Sequence, residues 1–101
     1  MPTAKYKVYY QKMIDDHRQL FDQFAVLNEQ FTQDQAAVAD EFHHLGQQVL
    51  EVVRDFDRRL CAAMGKGIYS TYSQKLSEQF WSLVRQDFSQ IDMVGVKIKQ
   101  H

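Results

Sequence analysis

Apolar side chains recur at alternating steps of four and three residues along the first third of the chain. The register is occupied by Tyr6, Tyr10, Met13, His17, Leu20, Phe24, Leu27 and Phe31, with His17 in place of an apolar residue. Such steps put these side chains on one face of an α-helix that packs against a partner helix. The pattern therefore predicts a helix from about residue 4 to 31.

The repeat resumes after a short polar link and predicts a second long helix. Thr32 and Gln35 have the spacing of a capping box, a pair that satisfies free backbone N–H groups at a helix start. The apolar register comprises Val38, Phe42, Leu45, Val49, Val52, Phe56 and Ala63, with Arg59 in the same series. We expect this helix over about 33–64, ending before Gly65. Because the link is so short, the two helices should fold back as an antiparallel hairpin.

The last third of the chain predicts a shorter helix and an extended end. A third helix is expected over about 72–88, after the turn-forming stretch GKGIYSTYS. The tail from 89 to 101 alternates Val94, Val96 and Ile98 with Gly and Lys, a pattern typical of a strand. Two interpretations of the tail are open, an edge strand in a dimer and a docked or frayed end. The 101 residues thus predict one all-α domain with a short extended C-terminal tail.

The unequal helix lengths bear on the oligomeric state. Each arm of the hairpin is roughly 40 Å long, and the third helix is about half of that. A short helix cannot cover both faces of two long arms, and uncovered apolar surface is normally buried by a second copy. We therefore expect a homodimer in which two hairpins pack as a helical bundle.

Composition narrows the class of protein without assigning a function. The chain is 45% hydrophobic and 25% charged, as in ordinary globular domains, and has no apolar run long enough to span a membrane. Cys61 is the only cysteine, which excludes an internal disulfide and fits a reducing, cytoplasmic compartment. No histidine is expected near this thiol in the hairpin, and we find no catalytic constellation. We expect a protein that is not an enzyme and needs no cofactor.

The stretch DEFHHLG, residues 40–46, has the chemistry of half a di-iron site. Glu41 precedes His44 by three residues and Asp40 precedes His43 by three, the E-x-x-H spacing of metal-binding bundles. On a helical projection Asp40 and His44 turn away from the apolar face, and His43 lies at its margin. Asp40, His43 and His44 are the candidate metal ligands, but we interpret the stretch as a solvated helix face.

His17 stands at the centre of the apolar face of the first helix. Across the hairpin it is expected near Val49, about one layer from Gly46, and a glycine within a helix costs roughly 1 kcal/mol relative to alanine. Room for an imidazole, or a close backbone approach, would explain that glycine. We interpret His17 as a hydrogen-bonded core histidine, with a ligand-binding or catalytic role as the alternative.

Two partial resemblances to known families occur. MIDDHRQLFD, residues 13–22, resembles the I-D-x-x-H-x-x-L-F stretch of hemerythrin-type helical bundles. That family also requires H-x-x-x-E and H-x-x-x-H pairs, whereas here the residues four positions after the histidines are Phe21, Gln47 and Gln48. Its metal-binding function is therefore not carried over. Paired hairpins of this length also resemble the small secreted WXG-type proteins, although the turn EQFTQDQ lacks W-x-G.

Charge is segregated along the predicted hairpin. Residues 20–53 contain six acidic residues and no Lys or Arg, and the rest of the chain contains all twelve basic and seven acidic residues. The hairpin would make its turn end acidic, and would make its open end, where the first helix begins and the second ends, basic and tyrosine-rich. The candidate anion- or nucleic-acid-binding residues at the open end are Lys5, Lys7, Arg54, Arg58, Arg59, Lys66, Tyr69, Tyr72 and Lys75.

Three interpretations of this charge pattern are open. It is ordinary surface electrostatics, or it pairs the acidic end of one protomer with the basic end of another in an antiparallel dimer, or it binds phosphates and stacks bases. The expected function is a protein–protein interaction module or subunit that acts through homodimerisation. The alternative is a nucleic-acid- or phosphate-binding accessory protein that uses the open end, and the second alternative is a metal-binding helical bundle.

Overall fold

The computed structural model describes residues 4–63 and 70–96, with the backbone alone for residues 70–73. The helices are α1 (Lys5–Asp16), α2 (Arg18–Gln33), α3 (Gln35–Ala63) and α4 (Ser70–Asp87), followed by a short 3-10 helix (Ile91–Met93). This part of the chain contains no strand, so the prediction of an all-helical protein is confirmed. None of the helices within it has both the length and the apolar character needed to cross a bilayer.

The first predicted helix, 4–31, is divided into α1 and α2 by a break at His17. The backbone of His17 has φ −126° and ψ 38°, outside the α-helical range. Hydrogen bonds continue across the break, because the N–H of His17 donates to the carbonyl of Met13 and the N–H of Phe21 donates to the carbonyl of His17, both at 3.1 Å. The break is therefore one residue long and redirects the chain without leaving these backbone groups unpaired.

Asp34 alone separates α2 from α3, and it supplies a capping bond of α3. Its Oδ1 accepts a hydrogen bond from the N–H of Ala37 at 3.3 Å. Thr32, which the sequence suggested as the cap, is still part of α2, and its hydroxyl donates to the carbonyl of Asn28 at 2.9 Å. The predicted capping box is thus wrong, and the second helix begins at Gln35 rather than about residue 33.

Aromatic side chains form the core where α2, α3 and the end of α4 meet. Phe31 stacks on Phe42 with ring centroids 3.9 Å apart, and the ring centroid of Phe24 lies 5.3 Å from that of Phe42. Phe88, directly after α4, packs 5.7 Å from Phe24 and 5.6 Å from Phe21. Phe88 and the helix before it thus cover one side of the α2–α3 pair.

The chain after α4 is docked on this same side rather than extended. Ile91 and Val94 are buried, and the N–H of Gly95 donates to Nδ1 of His43 at 2.9 Å. Asn28 holds the start of the segment, since its Oδ1 accepts from the N–H of Gln90 at 2.8 Å. Of the two interpretations of the tail, the docked end therefore fits residues 89–96 and the edge strand does not. Residues 97–101 lie outside the described part of the chain.

Gly46 allows the docked segment to approach α3 closely. A Cβ at this position would lie 2.6 and 2.8 Å from the two methyl carbons of Val94, and 3.3 Å from the ring of Phe24. The sequence suggested that Gly46 made room for His17 or for a close approach. Val94 occupies that room, so the suggested link between Gly46 and His17 is wrong.

Candidate functional site

The apolar residues of α3 divide into a buried row and a partly exposed row. Phe42, Val49 and Phe56 are buried in the core, together with Gly46, Val53 and Leu60 beside them. Val38, Leu45 and Val52 are packed against the core but only partly buried. On a helical projection these three residues lie about 40–80° to one side of Phe42. Part of the repeat that predicted the core thus lies at the surface.

Residues of α2 continue this partly exposed surface. Leu20 is partly buried, and Val26 is 56% exposed. A groove of about 490 Å³ runs between α2 and α3, and its lining residues are Gln23, Val26, Leu27, Gln30, Glu41, His44 and Leu45. We call this surface the uncovered face and define it by Leu20, Val26, Leu27, Val38, Leu45 and Val52. It combines an apolar floor with a polar rim, as protein interfaces do.

The uncovered face lies on the side of α2 and α3 that is turned away from α4 and the C-terminal segment. Contacts with those later elements are made by Asn28, His43 and Asp57, the last of which accepts a hydrogen bond from Ser77 at 3.1 Å. On a helical projection, Asn28 lies on one side of Phe24, and the residues of α2 that line the groove lie on the other. His43 and Asp57 are likewise separated by Phe42 from the residues of α3 that line the groove. The later elements therefore bury one side of the α2–α3 pair and leave the other open.

The basic residues of the predicted anion site fall into two groups. Arg58 and Arg59 both pair with Asp55, at 3.6 and 2.8 Å, and the guanidinium of Arg59 lies 4.9 Å from the ring centre of Phe56. Four others are exposed and make no ion pair within the described part of the chain: Lys5, Lys7, Arg54 and Lys75. Lys66, Tyr69 and the side chain of Tyr72 lie outside the described residues.

The candidate metal ligands point in different directions. Nδ1 of His43 is engaged by the N–H of Gly95, while His44 lines the groove beside Glu41 on the uncovered face. Asp40 is exposed. Within the described residues no group of three or more His, Cys, Asp or Glu side chains could hold a metal ion. His43 thus contacts the docked C-terminal segment, whereas His44 lies on the groove.

His17 is half-buried at the break between α1 and α2. Its ring meets that of Phe56 edge-on, with the centroids 6.1 Å apart. An edge-to-face contact of this kind is a packing interaction between aromatic rings. This contact fits a packing role for His17 at the junction.

Several polar contacts between distant elements could not be read from spacing along the chain. The hydroxyl of Tyr10 donates to Asp87 at 2.5 Å and fixes α1 to α4. Burial, and secondarily the carboxylate of Asp87, raises the pKa of the Tyr10 phenol well above its ordinary value.

Burial, and secondarily Asp57, likewise raises the pKa of the Cys61 thiol. A raised pKa favours the protonated thiol over the reactive thiolate.

No protein-family model matches this chain, and neither a curated protein nor a solved structure shows significant similarity to it.

Proposed function

We propose that this protein is a non-enzymatic interaction module or subunit that acts by homodimerisation through the uncovered face. In this proposal α2 and α3 form an antiparallel hairpin, and two hairpins pack as a helical bundle. The observation that carries the proposal is the row Val38, Leu45 and Val52, which lies in the heptad register of α3 but remains partly exposed. Heptad positions of this kind are normally buried against another helix.

The surrounding surface supports the same proposal. Val26 adds a largely exposed apolar side chain, and Gln23, Gln30 and Glu41 surround the groove with polar groups. Full burial of a Val or Leu side chain contributes about 1.5–3 kcal/mol relative to exposure. Association with a second copy that covers the row would bury the area of these side chains that is still exposed. It would thereby gain the corresponding part of this free energy.

The proposal is tested with two matched substitutions, Val26→Glu on the uncovered face and Val96→Glu on the opposite side. The two valines are similarly exposed, at 56% and 44%. Sedimentation equilibrium of the unmodified chain at micromolar concentration should show a dimer. Val26→Glu should raise the dimer dissociation constant at least about tenfold, because a charge would be buried in the interface.

Val96→Glu should leave the dissociation constant of the dimer within about twofold of the original. A monomeric unmodified chain at micromolar concentration would remove the proposal. Equal weakening by the two substitutions would also contradict it, because the effect would then not depend on the face. Circular dichroism of both variants checks that the helices are retained.

The phosphate-binding alternative has less support from the structure. Arg58 and Arg59 share the single carboxylate of Asp55, which offsets part of their charge, and Arg59 is packed over Phe56. Binding to single- and double-stranded nucleic acid at two salt concentrations tests this alternative, since phosphate contacts weaken steeply with salt. Binding at low salt that is lost when Lys5, Lys7 and Arg54 are changed to Glu would support it.

A further inference from the structure

We propose that the two copies associate antiparallel, with the acidic half of one chain lying on the basic half of the other. This inference rests on the proposed function and names its geometry. The acidic half, residues 20–53, carries a net charge of −6. The basic half, which is α1 together with the end of α3 (residues 4–19 and 54–63), has seven basic and four acidic residues and carries +3. A parallel dimer would place the two −6 regions side by side, whereas an antiparallel dimer places each beside a region of opposite sign.

The positions of the ion pairs within the chain add to this difference in charge between the acidic and basic halves. All those found among the described residues lie outside 20–53, as between Lys12 and Asp16 or Arg59 and Asp55. Among residues 4–63 and 70–96, the acidic half therefore has no ion-pair partner. Its six carboxylates, none of which makes an ion pair within the described part, belong to Asp22, Glu29, Asp34, Asp40, Glu41 and Glu51.

The apolar row also locates the centre of the dimer. It begins at Val38, and we extend it to Tyr9 of α1, which is partly buried and whose neighbour Tyr10 contacts α4. His17 contacts Phe56, and Tyr9 precedes His17 by eight residues. If α1 runs along α3, Tyr9 therefore lies about 12 Å beyond Phe56. The midpoint of the row is then close to residue 50 of α3.

A twofold axis at residue 50 brings Glu41 of one chain opposite Arg59 of the other. These residues are 18 positions apart in the sequence, which is five full turns of α-helix, so both project from the same side of α3. Glu41 lines the groove of the uncovered face. Exposed ion pairs stabilise weakly, so these pairs select the orientation while the apolar row drives association.

Spin labels at two positions of the exposed side of α3 distinguish the orientations. Ala37→Cys and Gln48→Cys are made separately in a Cys61→Ser background, and the distance between the two labels of each dimer is measured by pulsed electron paramagnetic resonance. In the antiparallel dimer the labels at 48 should lie on the order of 20 Å apart or closer. Those at 37 should be separated by about 40 Å, because each lies thirteen residues from the axis.

The outcomes separate this inference from the proposed function. Short distances at both positions, together with a dimeric mass, would overturn the antiparallel orientation and leave dimerisation intact. A monomeric mass without dipolar coupling would remove both. Long distances at both positions would show association through another surface and would also contradict the two proposals.

Charge reversal provides a second test of the Glu41–Arg59 pairing. Glu41→Arg alone and Arg59→Glu alone should each weaken the dimer at least about fivefold, because the twofold axis makes two like-charged pairs. The double variant should recover most of that loss. Glu29→Arg, an equal change in net charge away from the uncovered face, is the control and should not weaken the dimer. Strengthening by Glu41→Arg would indicate a parallel dimer and overturn the inference.

Discussion

At the scale of single residues, the missing side chain of Gly46 determines how closely the C-terminal segment can approach α3. Val94 occupies the space that a Cβ would need, and Phe24 closes another side of it. The sequence identified Gly46 as unusual, because a glycine in a helix is unfavourable. It could not identify Val94 as the reason, since the partner lies beyond a whole further helix and the tail had the alternation of a strand.

Gly46→Ala tests this close approach, because two effects of opposite sign compete. Alanine favours the helix by about 1 kcal/mol, but its methyl group would collide with Val94 at a distance that forces the segment to move. We expect a net loss of about 1–3 kcal/mol in the free energy of unfolding, measured by urea denaturation. In a Val94→Ala background the same change should be neutral or stabilising. A loss of equal size in both backgrounds would contradict the assignment.

Tyr10 gives the fold a dependence on alkaline pH. Its pKa is raised in the folded chain by burial and then by Asp87, so the stability it contributes is complete below its unfolded pKa of about 10. This contribution is lost as the pH rises above that value, since folding then requires a proton that the unfolded phenol has released. Between pH 9 and 11 the free energy of unfolding should therefore fall more for the original chain than for Tyr10→Phe. Parallel curves for the two would show that Tyr10 is not the group responsible.

At the scale of the elements, the sequence predicted helices well and the joints between them poorly. The heptad register runs unbroken through His17, and neither Gly nor Pro marks the break there. In TQDQ both Thr32 and Asp34 are residue types that cap helices, and spacing alone favoured Thr32. Which of them caps depends on where α2 ends, and α2 continues past Thr32 to Gln33.

Asn28 joins α2 to the turn after α4 and is the buried polar residue of the described core. Its side chain accepts from the N–H of Gln90 at 2.8 Å and donates to the hydroxyl of Ser89 at 3.5 Å. Asn28→Ala should lower the free energy of unfolding by about 1–3 kcal/mol, because the N–H of Gln90 loses its acceptor. Ser89→Ala should cost less than about 1 kcal/mol, since its contact is long. Equal costs in thermal or urea denaturation would contradict this assignment.

At the scale of the whole molecule, the segregation of charge followed directly from the sequence, whereas the uncovered face did not. The repeat identified Val38, Leu45 and Val52 as helix-packing residues without showing which partner covers them. That depends on where α4 and the C-terminal segment dock, and they occupy the opposite side of the 48 Å long molecule. The sequence therefore predicted the apolar pattern of the site, whereas the position of the site on the surface could be found only from the fold.

The docking of Val94 beside Gly46 also sets an order of events during synthesis. Helices α2 and α3 emerge from the ribosome long before residue 94, so the space beside Gly46 and the polar groups of Asn28 and His43 must remain hydrated until then. Only when the chain has been made to this point can the segment close that side of the core. A nascent chain stalled at the end of α4 would thus display, besides the uncovered face, the open side of the core on which the C-terminal segment later docks.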